Sequence, residues 1–130
     1  TNGMIAYAFA EIAGFSKFGS YTGNGVADGP FVWCGFRPKY VLVKSISAAT
    51  AWVVHTSTLS PYNVVDDVIR PYSTGSEETG NAAFNIDLLS NGFKLRTADS
   101  DHNASGDTII FAAFAEFPFG GTGTTQGKAR

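Results

Sequence analysis

Oxygen-bearing side chains recur in the stretch DSDHNASGD, residues 99–107. The four that could ligate a hard cation such as Ca²⁺ are Asp99, Asp101, Asn103 and Asp107. An EF-hand loop would need Gly at its sixth position and Glu at its twelfth, where this chain has Ala104 and Ile110. Two interpretations therefore stay open. One is a calcium site, and the other is a turn in which Asp and Asn side chains bind their own backbone.

Acidic pairs suited to glycoside hydrolysis are not evident. Asp66–Asp67 and Glu77–Glu78 are adjacent, so in an extended chain their side chains point to opposite sides. Glu11 and Glu116 end two similar segments, but no second acid accompanies either at a fixed spacing. The nucleophile elbow Gly-x-Ser-x-Gly is also absent. The sequence therefore predicts a protein that is not an enzyme.

Aromatic side chains in turn-rich segments are the better candidates for binding. Tyr62 and Tyr72 lie in a segment bounded by prolines, and the stretch SYTGNG holds Tyr21 and Asn24. Loops on a rigid β scaffold often carry recognition, so we predict a binding role for Tyr21, Asn24, Tyr62 and Tyr72. Trp33 and Trp52 alternate with apolar neighbours, which favours a core position for both.

The elements that must position these residues are strands. Eleven Phe and fifteen Gly favour strands and tight turns. Asn91–Gly92 joins two alternating runs and predicts a hairpin. Residues 61–72 are the best candidate for a helix, which would have one or two turns at most. The pattern predicts an all-β fold, an antiparallel β-sandwich or jelly-roll of about eight strands. Further predicted strands cover residues 15–21, 31–36, 39–46 and 51–57.

Two nearly identical segments lie at opposite ends of the chain, IAYAFAE at residues 5–11 and FAAFAE at residues 111–116. Both read as strands that are apolar on two faces. Alternation along the chain gives a predicted core of Phe9, Trp33, Val41, Val43, Val53, Ile86, Leu95, Ile110 and Phe114.

Charge and hydropathy exclude several classes. The formal charge is −2, and the nine Lys and Arg are scattered, which argues against a nucleic-acid partner. There is no apolar run of about 18 residues, so we predict no membrane insertion. Cys34 is the single cysteine and reads as a small buried hydrophobe.

Three segments together resemble a largely uncharacterised domain of tail-fibre and other virion proteins of tailed bacteriophages. They are FGSYTGNGVADGPFVWCGFRPKYVLVK, SNGFKLRT and NASGDTIIFAAFAEFPF. The resemblance spans roughly residues 15–119. It implies a virion location, a structural role in assembly and a role in recognition of the host surface. The implied partners are further copies of the chain, other virion proteins and a host-surface glycan. The resemblance supplies no catalytic motif.

The resemblance also suggests boundaries. Residues 1–12 would be a strand ending a preceding repeat, 13–119 the β-sandwich domain, and 120–130 a flexible tail. The alternative for residues 4–12 is an internal pseudo-symmetry in which both similar strands share one sheet. The alternative function is a lectin-like carbohydrate-binding module assisted by calcium, with no other cofactor expected.

Overall fold

A computed structural model describes residues 3–118, which form an all-β fold of eight strands in two antiparallel sheets. The strands are Ser16–Thr22 (β1), Phe31–Trp33 (β2), Pro38–Ser45 (β3), Val53–Thr56 (β4), Val68–Ile69 (β5), Ile86–Leu89 (β6), Gly92–Leu95 (β7) and Thr108–Ala115 (β8). The larger sheet has the order β1-β8-β3-β4-β5, and the smaller sheet the order β2-β7-β6. The predicted fold class is confirmed.

Strand β8 is an interior strand of the larger sheet, because it pairs antiparallel with both β1 and β3. Ala112 lies opposite Phe18 on one side and Leu42 on the other. The small Ala112 and Ala113 leave room for the large side chains of neighbouring strands. Residues from the two ends of the chain are thereby joined in one sheet.

The predicted hairpin forms the smaller sheet, where Ile86–Leu89 pairs with Gly92–Leu95. Gly92 lies directly opposite Trp33 of β2, the third strand of this sheet by position. A Cβ atom on Gly92 would lie 2.1 Å from the carbonyl oxygen of Val32. Only glycine fits this close backbone approach, so the residue type is set by strand packing as well as by the turn.

The core lies between the two sheets and takes side chains from both. Its buried members include Phe36, Val41, Val43, Val53, Val68, Ile86, Leu88, Phe93, Leu95, Ile109, Phe111 and Ala113. Five predicted core residues are confirmed as buried, namely Val41, Val43, Val53, Ile86 and Leu95. Alternation identified the inward face correctly on β3, β4, β6 and β7.

Four core predictions were wrong. Phe9 and Trp33 are exposed, and Ile110 and Phe114 are only half-buried. On β8 both sets of alternating residues are apolar, so alternation alone does not decide which set faces inward. The other set, Ile109 with Phe111 and Ala113, fills the core, and Ile110 and Phe114 lie on the outer face of the larger sheet.

Residues 3–11, which we call the arm, form no strand, contrary to the prediction for residues 4–12. Ile12 makes an isolated bridge with Ser16, and the arm side chains are exposed. Unlike β8, the arm has no strand on either side to take its backbone hydrogen bonds. The proposed repeat stays a prediction, and the predicted tail, 120–130, lies outside the described residues.

Two local predictions also differ from the structure. Residues 61–72 hold bends and the short strand β5 in place of helical turns. A four-residue helix, Ser100–Asn103 (α1), lies where we predicted only a loop. A short 3-10 helix covers Ala82–Phe84. Within residues 3–118, no helix is long and apolar enough to cross a membrane.

Candidate functional site

The predicted metal ligands hold the loop around α1 together. The Asp99 carboxylate accepts a hydrogen bond from the Asp101 backbone N–H at 2.8 Å and caps α1. The Asp107 carboxylate accepts one from the Ser45 hydroxyl at 3.0 Å. Among the described residues, no group of three or more His, Cys, Asp or Glu side chains is placed to hold a metal ion. The geometry supports the turn interpretation.

Asn103 and Asn24 form a clasp between two loops. The buried Asn103 side chain donates to the carbonyl oxygens of Thr97 at 2.6 Å and Val26 at 2.9 Å. It also accepts from the Asn24 backbone N–H at 2.9 Å. These bonds satisfy backbone groups that neither loop satisfies by itself. The structure thus gives Asn24, predicted to bind a ligand, an architectural role.

Tyr21 belongs to β1 and faces the protein interior, unlike the exposed loop residue that we expected. Its hydroxyl donates to the His102 carbonyl oxygen at 2.8 Å, and its ring meets Phe93 edge-on at 6.1 Å. Burial raises the pKa of the Tyr21 hydroxyl. The other predicted tyrosines, Tyr62 and Tyr72, are exposed.

Tyr72 and Asp101 meet in a cleft of about 360 Å³, which we call the Arg70 cleft. Its walls are Ala49, Thr50, Ala51, Trp52, Arg70, Tyr72 and Asp101. These residues come from the β3–β4 loop, the segment after β5, and α1. The pairing of β4 with β3 and β5 brings the first two of these segments together.

Arg70 is the fixed centre of the cleft. Its guanidinium forms a two-pronged ion pair with Glu78 and also reaches Asp101 and the Tyr72 hydroxyl, both at 3.4 Å. The guanidinium carbon lies 4.7 Å from the centre of the Phe84 ring. Hydrogen bonding to Arg70 lowers the pKa of Glu78, and the same bond raises the pKa of Arg70. The group is therefore oriented before any ligand arrives.

Two aromatic side chains open onto the cleft. Trp52 is 39% exposed and Tyr72 is 60% exposed. We expected Trp52 in the core, but it lies one residue before β4 and on the outer side of the sheet. The sequence signal that would have helped is the preceding polar and small-residue spacer SAAT, because it places Trp52 at a strand entrance.

Behind the cleft lies a pair of buried histidines. The His55 and His102 rings are 5.5 Å apart, and Phe84 stacks on His102 at 5.4 Å. Neither ring has a hydrogen-bond partner for its nitrogens within the described part of the chain. Burial lowers the pKa of both groups, that of His102 to about 4. Phe84 thus lies between Arg70 and a neutral imidazole.

A second candidate surface covers the outer face of the larger sheet. Its exposed or half-buried apolar side chains, which we call the outer face, are Phe18, Tyr40, Leu42, Trp52, Ile110, Ala112 and Phe114. Phe9 of the arm rests on it, with ring centres 6.0 Å from Phe18 and 5.7 Å from Phe114. Cavities of about 340 and 360 Å³ adjoin Phe9.

A family model described as a domain of unknown function, DUF7483, matches residues 1–118. No curated protein and no solved structure matches the chain. The family match includes the arm as well as all eight strands. This chain belongs to the DUF7483 family.

Proposed function

We propose that this protein is a structural and recognition domain of a bacteriophage virion, and that its Arg70 cleft binds a glycan on the host surface. The observation that carries the recognition role is the meeting of two exposed aromatic rings with a fixed set of polar groups in one cleft. The sequence resemblance over residues 15–119 supports the virion setting.

The cleft has the two kinds of surface that a sugar ring requires. Trp52 and Tyr72 offer aromatic faces, against which the C–H side of a pyranose can pack. Thr50, Arg70 and Asp101 offer donors and acceptors for hydroxyl groups at the ring edge.

The charges in the cleft favour a neutral sugar. Arg70 carries one positive charge, and both Glu78 and Asp101 contact it. The local balance is therefore negative, and an acidic sugar would meet carboxylates that already occupy the guanidinium. We expect neutral hexoses or their N-acetyl derivatives to bind better than sialic or uronic acids.

The same contacts favour binding over catalysis. A glycosidase needs one carboxyl group that stays protonated to act as general acid. The pKa of Glu78 is lowered by its hydrogen bond to Arg70, which keeps this carboxyl ionised at neutral pH. Asp101 is also paired with Arg70. We therefore expect no cleavage of a bound glycan.

A glycan-array screen, followed by titration of Trp52 fluorescence with the best ligand, tests the cleft. Trp52→Ala and Tyr72→Ala should each weaken binding by up to about tenfold, because a lost aromatic contact costs up to roughly 1.4 kcal/mol. Binding to the Tyr72→Ala variant is followed by fluorescence, and binding to the Trp52→Ala variant by calorimetry. Tyr62→Ala is the matched control, since Tyr62 is an exposed tyrosine outside the cleft. Absence of any glycan ligand, or equal affinity in all three variants, would contradict the proposal.

A free carbohydrate-binding module is the alternative, because the cleft serves that role equally well. Probing purified virions for this chain distinguishes the two settings. Its detection in the particle supports the virion proposal, whereas its recovery only in the particle-free fraction supports the module. Calcium assistance is tested in the same titration. Since Asp99 and Asp107 have partners within the protein, we expect chelator to leave affinity unchanged.

A further inference from the structure

We propose that the arm of one copy packs on the outer face of a second copy, so that this domain assembles by reciprocal exchange of arms. The assembly surface is separate in its residues from the polar part of the Arg70 cleft and does not depend on glycan binding. The argument rests on the outer face, on the arm, and on the fit between their dimensions.

The outer face is apolar across the full width of the larger sheet. A single apolar row crosses all five strands. Phe18, Ala112 and Leu42 of the outer face continue into Val54, which is already buried within one copy, and then into the exposed Ile69. An antiparallel sheet with one face in water normally carries polar residues on that face. A continuous apolar row therefore marks a surface that another element covers.

The arm supplies the matching chemistry. Residues 3–10 read GMIAYAFA and carry no charged side chain. Within its own copy the arm places Phe9 on the outer face, against Phe18 and Phe114. Met4, Ile5 and Tyr7 remain 92%, 80% and 82% exposed. The structure thus shows what kind of segment the face accepts, while most of that segment stays in water.

The C-terminal end of the arm is held at the edge of the larger sheet. The Ser16 hydroxyl donates to the Ala10 carbonyl oxygen at 2.9 Å, and Lys17 pairs with Glu11 at 2.7 Å. Strand β1 is an edge strand of the larger sheet. Residues before Ala10 can therefore swing away from their own copy while the turn at Ile12 stays in place.

The arm of a second copy is long enough to occupy the face that a copy's own arm leaves open. Eight extended residues span about 26 Å at roughly 3.3 Å per residue. Five strands spaced about 4.8 Å apart span roughly 19 Å. A partner's arm is thus long enough to cross the face and fill the cavities beside Phe9. Because every copy has both arm and face, exchange produces a closed, symmetric pair.

Light scattering over a hundredfold range of protein concentration tests the assembly. The wild-type chain should form a dimer. The double variant Ile5→Ser/Tyr7→Ser should be monomeric, because it removes apolar side chains that would pack on the outer face of the second copy. It should still fold, since both side chains are exposed within one copy. Tyr62→Ser is the matched control at 83% exposure and should leave the dimer intact. A monomeric wild type, or a dimer that persists in the double variant, would overturn the proposal.

Disulfide trapping separates arm exchange from packing of two bare faces. Copies carrying Tyr7→Cys are mixed with copies carrying Ile110→Cys, both in a Cys34→Ala background. We expect a disulfide between unlike copies on mild oxidation, since the partner's arm crosses β8. Association without this link, or links formed only between two Tyr7→Cys arms, would show that another contact holds the copies together.

Discussion

At the scale of single residues, the most unusual feature is the histidine pair. His55 and His102 lie side by side in the core, and the described residues provide no hydrogen bond to their ring nitrogens. An unpaired buried polar atom costs free energy, and a charged one costs far more. Both rings must therefore be neutral in the folded protein. Lowering the pH should reduce the stability of the fold, because it favours the protonated form of these two side chains.

We predict that the free energy of unfolding falls between pH 7 and pH 5. Folding lowers the pKa of His102 from its usual value to about 4. The unfolded chain therefore binds the extra proton first, and stability present above about pH 6.5 is lost as pH falls toward 4. His102 alone accounts for about 2 kcal/mol by pH 5. His55 adds to the loss, because its pKa is lowered in the same direction.

Urea unfolding at both pH values measures this effect. The lowered pKa values of Glu11, Asp28 and Glu78 start from about 4, so these carboxyls act mainly below the pH window used. His102→Phe should remove about 2 kcal/mol of the pH dependence even if it changes stability at pH 7. A wild-type protein equally stable at pH 7 and pH 5 would show that the histidines do not stay neutral.

Asn103 gives a second prediction at this scale. Asn103→Ala leaves the carbonyl oxygens of Thr97 and Val26 and the N–H of Asn24 without their partner. At about 1 kcal/mol for each bond, we expect the substitution to cost roughly 3 kcal/mol of unfolding free energy. Asn24→Ala is the control. The Asn24 side chain bonds Asp28 and Val26 in contact with water, where a hydrogen bond adds little, so this substitution should cost clearly less. Equal, small losses in both variants would mean that the clasp does not order the loops.

At the scale of elements, the sequence predicts strands better than it predicts their faces. Periodicity and turn residues located seven of the strands and the hairpin, because β-formers and Asn-Gly act locally. The sequence did not show which face of β8 points into the core, since Ile110 and Phe114 are as apolar as Ile109 and Phe111. A strand that is apolar on both faces requires knowledge of what packs on each face.

The arm shows the same limit more directly. Residues 5–11 and 110–116 share five identities, Ile, Ala, Phe, Ala and Glu at matching positions. Yet β8 pairs with two strands, whereas the arm pairs with none within one copy. Strand formation depends on cross-strand partners at least as much as on local sequence. A local pattern therefore predicted a strand that one copy alone does not form.

At the scale of the whole molecule, the candidate site could be predicted only in part. Tyr72 and Asp101 were identified as binding candidates, but for separate reasons and in separate sites. Their meeting with Trp52 and Arg70 depends on the pairing of β4 with β5 and on the position of α1. Such contacts join positions far apart in the chain, and local patterns carry no information on them.

Arm exchange makes a prediction about the stability of the whole assembly. If a second copy stabilises the folded chain, the midpoint of thermal unfolding must rise with protein concentration, by mass action. Removing residues 1–10 should abolish that dependence. It should lower the midpoint at low concentration only slightly, because within one copy the ring contacts of Phe9 are worth about 1 kcal/mol.

Calorimetry of both chains at matched concentrations provides the measurement, with Tyr62→Ser as an unaltered-arm control. A rising midpoint in the full chain and the control, together with a constant one in the shortened chain, is the expected pattern. A shortened chain that does not fold would mean that Phe9 completes the sandwich within one copy. The apolar outer face would then belong to the core of a single molecule, and the arm would not be available to a partner.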